Sequence, residues 1–376
     1  MRTYNIAILK GDGIGVEVSN QSLKVLDSIS KKFNIDIQTQ EYLVGGAALD
    51  ECNSALPDST LNGCKAADAV LFGAVGGPKW DKQIGGISNL NVKDKDSALS
   101  AYDTPESGLL GLRKSLQVYA NIRPVFVFES LIEASTLKPN VIKDVDLVVV
   151  RELIGGAYFG KPSGIEVRNG ERVGFNNMIY SESEIARIAH YAFKLSQKRR
   201  KKLCLVDKAN VLDVSKLWRQ VVTEIASQYT DVELSYQYVD NTSMQLIRNP
   251  RDFDVILTEN IFGDILSDEA SQLIGSIGLL PSASIGDSYA LYEPIHGSAP
   301  DIAGKDIANP MACILSVAMM FEISFHEIEI AKSIRDSIDN MLNHGIRSRD
   351  LAIFGATKVI GCEEMGDLIA KMILEQ

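Results

Sequence analysis

A chain of 376 residues exceeds one ordinary core, because domains of roughly 100 to 200 residues are the rule, and two lobes are expected. Its 45% hydrophobic and 23% charged residues fit a soluble globular protein, while a net charge of -11 argues against nucleic acid, whose phosphates are held by Lys and Arg. The five cysteines are odd in number, widely spaced and without a C-x-x-C, which disfavours a disulfide framework and a zinc site, and without a run of about 18 apolar residues no membrane span is expected.

The chain reaches an apolar run, "YNIAILK", within a few residues, leaving no space for a signal peptide, so a cytoplasmic location is expected. "GDGIG" (11–15) then joins that strand to the amphipathic "VEVSNQSLKVLDSI". A dinucleotide fingerprint requires G-x-G-x-x-G, whose third glycine lets helix pack on strand. Here glycines stand at 11, 13 and 15 with Val16 in the third place, and the spacing favours a tight turn over a Rossmann loop.

Further along, "AVLFGAVG", "DLVVVREL", "KLCLVDK" and "DVILTEN" read as strands between longer amphipathic stretches, an α/β pattern. Residues 82–104 are polar and aperiodic and predict a long loop, read as projecting into solvent rather than closing over a site. The clearest helix starts at Ser181, with a Ser181–Glu184 capping box and a stripe of Ile185, Ile188, Ala189, Ala192 and Phe193. The "KRRKK" at its end (198–202) is expected to be solvated, not a nucleic-acid patch.

Several polar groups have chemical potential. Arg113, Arg123 and Arg151 are either structural ion-pair partners or a fork-shaped clamp for carboxylates. Asp264 and Asp268, four apart, share one helical face; with Asp240 they are candidate oxygen ligands for a divalent cation, or acids favoured in a helical first turn. Tyr158 and Lys208 serve in packing or, with shifted pKa values, as acid and base; His296, in a loop of small residues, is open to either reading too.

Seven segments in order, "GDGIG", "GAVGGPKWD", "ESGLLGLRK", "RELIGGAYFGKP", "VDKANVL", "FGDILSDEASQL" and "LYEPIHGSAPDIAGKDIANP", resemble the β-decarboxylating dehydrogenase family of isocitrate and isopropylmalate dehydrogenases. The resemblance spans almost the whole chain. It implies two α/β lobes around a mixed central sheet, not a true Rossmann fold: a cofactor-binding lobe from 1–117 and 277–376, and a central lobe, 118–276, carrying the interface of a homodimer with shared active sites.

The resemblance further implies NAD, bound by Asn210, His296, Gly297, Ser298, Ala299, Asp301, Ile302 and Asn309, with the Asp301 carboxylate repelling a 2'-phosphate. The three arginines would hold the substrate carboxylates, and Asp264 and Asp268, with Asp240 from the other subunit, would bind Mg2+ or Mn2+. Lys208, also from the partner, would be the base and Tyr158 the acid that protonates the product of decarboxylation. Glu106, Leu109 and Leu110 would face the third substituent of a malate; two leucines suit isopropyl and not a further carboxylate, so 3-isopropylmalate in leucine biosynthesis is expected.

Rivals are a D-malate, tartrate or homoisocitrate dehydrogenase and, in another class, a non-catalytic regulatory subunit. The latter would be expected to lack acid-base or metal-binding side chains, all of which are present here. The chain departs from the family pattern at Val16, where proline is common, at Ser163, where arginine is frequent, and in the length of 82–104.

Overall fold

A computed structural model describes residues 2–81, 104–352 and 355–376; the loop expected at 82–104 thus lies outside the described residues except for Thr104. Described strands in chain order are β1 (Thr3–Gly11), β2 (Asp36–Glu41), β3 (Ala69–Ala74), β4 (Ala120–Phe126), β5 (Asp146–Glu152), β6 (Gly164–Arg168), β7 (Glu171–Phe175), β8 (Lys202–Asp207), β9 (Glu233–Tyr238), β10 (Val255–Thr258), β11 (Pro281–Ile285), β12 (Ala290–Pro294), β13 (Ile346–Arg347) and β14 (Lys358–Val359).

Ten of them form one mixed sheet in the order β2-β1-β3-β12-β11-β4-β5-β10-β8-β9. The two ends of that order are parallel, and β11 runs antiparallel to both β12 and β4, as β4 does to β5. The fold is therefore α/β with a large mixed sheet, as expected. All five apolar runs lie in strands β1, β3, β5, β8 and β10. In β5, "DLVVVRE", all but the first residue are buried, because both edges are paired and β-branched side chains fill both faces.

The helix Met311–Ile323 is apolar around most of its circumference and packs on β11, β12 and the helices Ile14–Phe33 and Ile328–Asn343. An all-round apolar helix has no wet face, and this one lies inside the fold. At Ser181 the capping box forms as expected: the Ser181 hydroxyl accepts from the Glu184 amide at 3.3 Å, and the Glu184 carboxylate accepts from the Ser181 amide at 2.7 Å. The helix it starts, Glu182–Gln197, buries all five residues of the apolar stripe.

The basic run that follows departs from expectation. Arg199 donates to the buried Asp254 and to Asp146, both at 2.8 Å, and Lys201 pairs with Asp231 at 3.1 Å. The fully buried Asp254 carboxylate requires a cation, so part of this run is structural rather than merely solvated.

"GDGIG" is a tight strand-to-helix turn. A Cβ on Gly11 (φ +68) would stand 1.9 Å from the Ala74 carbonyl oxygen, and one on Gly13 (φ +55) 2.1 Å from that of Ser298. These glycines admit neighbouring backbone to the turn.

Candidate active site

The C-terminal end of β5 points Arg151 at the first turns of the helix Asn260–Ser271, and β4 brings Arg123 alongside, with Asn121 opposite Arg151 in the register. Both arginines are buried. Arg151 is fixed by the Asn260 side-chain oxygen, which accepts from Nε at 3.0 Å and Nη2 at 2.7 Å, while Nη1 donates to Asp264. Arg123 donates to Asn121 at 2.7 Å, to Ser267 at 2.5 Å and to Asp268 at 3.3 Å. Arg113, from the helix Pro105–Ser115, forms a buried ion pair with Glu293 of β12 at 2.6 Å, near enough to Arg123 and Asp264 to act on both electrostatically.

Asp264 and Asp268 project from one face of their helix into this cationic nest. Burial disfavours ionisation of Asp264, but Arg151 and Arg123 outweigh it and hold its carboxyl below the ordinary carboxylate range. Asp268, with weaker cationic support, is pushed up by its burial. The Tyr158 hydroxyl donates to Asp264 at 2.9 Å, and burial together with that carboxylate raises the phenol to about 12. Tyr158 therefore holds its proton at neutral pH.

One chain thus assembles three arginines, Asp264, Asp268 and Tyr158. Lys208 and Asp240 pair with each other at 2.8 Å, and the hydrogen bond from Lys208 holds the exposed Asp240 carboxyl below its usual range. Among the described residues, no three His, Cys, Asp or Glu side chains converge on a common metal position. Asp264 and Asp268 offer two hard oxygen donors suited to Mg2+ or Mn2+, whose remaining positions water or substrate oxygens could fill. Asn210, two residues beyond Lys208, is exposed.

A second group of the expected residues surrounds the glycine turn. The exposed Glu106, in the first turn of its helix, lies close enough to Gly76 that a Cβ there would stand 2.5 Å from its carboxylate; Leu109 and Leu110, one turn on, are half-buried. Ser298 donates to the Gly76 carbonyl at 2.8 Å, and its own carbonyl accepts from the Ile14 amide at 2.8 Å. Ala299 occupies the left-handed region at φ +38, turning the chain between Gly297 and the exposed Asp301; the Ile302 amide closes that turn on the Ala299 carbonyl at 3.1 Å.

His296 is buried, with Nδ1 at 2.9 Å from the Gly297 carbonyl and burial lowering its pKa, so the ring is neutral. Its buried Nε2 has no hydrogen-bond partner among the described residues, which leaves a polar position for a planar, hydrogen-bonding ligand such as an adenine. Asn309 is less free: its amide donates to Asp350 at 3.1 Å and its oxygen accepts from the Met311 amide at 3.0 Å.

Sequence reading missed Asp12, Asn121, Asn260, Ser267 and Glu293. Asp12 sits inside "GDGIG", and its buried carboxylate accepts from the amides of Gly46, Ala47 and Gly76 at 2.7–2.9 Å, binding three loops together. An acid inside a glycine turn was the available signal for it. For Asn260 and Glu293 the only signal was a polar residue beside an apolar run.

A family model described as "Isocitrate/isopropylmalate dehydrogenase" matches residues 5–369. The chain is 57% identical over 370 residues to a 3-isopropylmalate dehydrogenase of Wolinella succinogenes, covering 98% of each chain. It is 52% identical to one of Aquifex aeolicus over 369 residues, covering 98% of this chain and 97% of that one. Among solved structures, an isocitrate dehydrogenase from Methylococcus capsulatus superposes with a TM-score of 0.83 at 32% identity over 99% of both chains. A β-decarboxylating dehydrogenase from Thermococcus kodakarensis does so at 0.75 and 32% identity, covering 99% of this chain and 96% of that one.

Proposed function

Because this chain belongs to the isocitrate/isopropylmalate dehydrogenase family, we propose that it oxidises and decarboxylates 3-isopropylmalate to 4-methyl-2-oxopentanoate and CO2, in the cytoplasm, for leucine biosynthesis. The observation that carries this reading is the nest of Arg113, Arg123 and Arg151 facing Asp264 and the protonated Tyr158, a carboxylate-binding site with an acid in it. NAD and Mg2+ or Mn2+ are its proposed cofactors; when bound, the dinucleotide accepts hydride and the cation lends positive charge to the oxygen on carbon 2.

The remaining chemistry belongs to the chain. The arginines orient the malate carboxylates, and Leu109 and Leu110 accept the isopropyl group, for which a third carboxylate would be a poor substitute. Lys208 takes the hydroxyl proton, CO2 departs from carbon 3, and Tyr158 returns a proton to that carbon. His296, Ser298 and Asp301 flank the dinucleotide, and Asp301 disfavours a 2'-phosphate on charge grounds. Lys208 and Asp240 reach the nest of a second copy, making a homodimer with two shared sites and two lobes per chain, 1–117 with 277–376 and 118–276. Within one chain Lys208 and Asp240 pair with each other, and among the described residues no third acid joins Asp264 and Asp268 at a metal position, which supports that arrangement.

The test is NADH formation with Mn2+ on 3-isopropylmalate, D-malate, isocitrate and homoisocitrate, each with NAD and NADP. A kcat/KM for 3-isopropylmalate with NAD at least about tenfold above every other pairing is expected. Preference for isocitrate or D-malate would remove the leucine wall as selector, and no turnover at all would favour a non-catalytic subunit. In Tyr158→Phe, decarboxylation should slow more than hydride transfer, so that NADH appears ahead of CO2 in a single turnover.

A further inference from the structure

Asn260 is fully buried and uses every hydrogen-bonding position of its side chain. The oxygen accepts two bonds from Arg151, at 3.0 and 2.7 Å, and the amide nitrogen donates two, to the carbonyls of Leu153 at 3.1 Å and Gly155 at 3.0 Å. One side chain therefore joins an arginine of the nest to the turn that leads into Gly156–Tyr158.

Asn260 is itself held in place. Its backbone amide donates to the Tyr180 hydroxyl at 3.0 Å, and Glu259 caps the helix by accepting from Ile261 at 3.2 Å and Phe262 at 2.7 Å. The turn has little space to relax, since a Cβ on Gly155 would stand 2.6 Å from the Tyr180 ring.

We infer that Asn260 is a positioning residue that couples the Arg151 guanidinium to the Tyr158 hydroxyl, setting where the acid stands relative to the bound carboxylate. This rests on the roles proposed above for Arg151 and Tyr158. Aspartate has nearly the same shape and keeps an oxygen for Arg151, but replaces the donor with a second oxygen facing two carbonyls. Asn260→Asp thus releases the Tyr158 turn while retaining the arginine contact, and the added charge beside Arg151 competes with substrate and raises its KM.

The experiment is single-turnover NADH formation against CO2 release for wild type, Asn260→Asp, Tyr158→Phe and the double variant. In Asn260→Asp, CO2 release should slow by about tenfold or more while hydride transfer changes less than about threefold, since small misplacements of a reacting group cost that much or more. In the Tyr158→Phe background the substitution should add little, because its effect passes through Tyr158. Amide exchange in the ligand-free protein should rise over 153–160 and stay unchanged in β5.

An unchanged ratio of NADH to CO2 in Asn260→Asp, or full additivity with Tyr158→Phe, overturns the coupling and leaves the proposed function standing. An unchanged ratio in Tyr158→Phe overturns the acid and the coupling together, and absence of NADH from wild type overturns the function. Should Asn260→Asp fail to fold, Asn260→Ser, too short to span both partners, takes its place, and the same changes in ratio and additivity support or overturn the coupling.

Discussion

Arg151 and Glu152 are neighbours on β5, and burial disfavours the charged form of both. Arg151 is buried among acceptors that match its fork, so Arg151→Lys loses the two bonds to Asn260 and should lower kcat/KM by about a hundredfold, roughly 3 kcal/mol, in steady-state kinetics on 3-isopropylmalate. Glu152 is fully buried, and although it accepts from the Gly155 amide at 2.8 Å and lies 3.4 Å from Arg187, burial dominates and pushes its carboxyl from 4.5 up to about 7. Its folded pKa exceeds the unfolded one, so its stabilising contribution is complete below pH 4.5 and lost as pH rises through about 7. Glu152→Gln should flatten the pH dependence of the thermal midpoint across that window; an unaltered slope would show that Glu152 does not titrate there.

Among the elements, the helix Glu182–Gln197 depends most plainly on local sequence. Removing its cap in Ser181→Ala should cost about 1 kcal/mol in denaturant unfolding, with no effect on turnover. That helix and five strands were legible because apolar spacing and burial coincide in them. The hairpin β6–β7 went unread although Asn169 (φ +51) and Gly170 (φ +84) between its strands carry a recognised hairpin signal; the apolar alternation of Ile165 with Val167 and of Val173 with Phe175 is only two residues long in each strand, and the strands are mostly exposed. The site was legible as residue types, with roles implied by the family resemblance. Its supports were not, because Asn260 meets Arg151 through pairing between elements that lie about a hundred residues apart in sequence, and no local pattern encodes that meeting.

For the molecule as a whole, one chain holds Arg151, Asp264 and Tyr158 together and pairs Lys208 with Asp240, and the proposed shared site makes a quantitative prediction. Lys208→Ala and Asp264→Asn should each be nearly inactive alone. When they are mixed, unfolded and refolded together, half of the dimers are hybrids with one intact site, and activity should return to about a quarter of wild type. A mixture as inactive as its parts would mean that each chain completes its own site.

The order of the sheet also bears on how the protein is made. β3 and β12 are sheet neighbours, as are β4 and β11, yet about two hundred residues separate β3 from β12 in sequence. At a synthesis rate of roughly 5 to 20 residues per second, β3 waits on the order of ten seconds or more before its partner leaves the ribosome. During that interval a wholly apolar strand has an open edge, so the half of the sheet begun first is completed last. Translation speed and chaperone supply would then bear on the yield of this protein in a foreign host alongside its final stability.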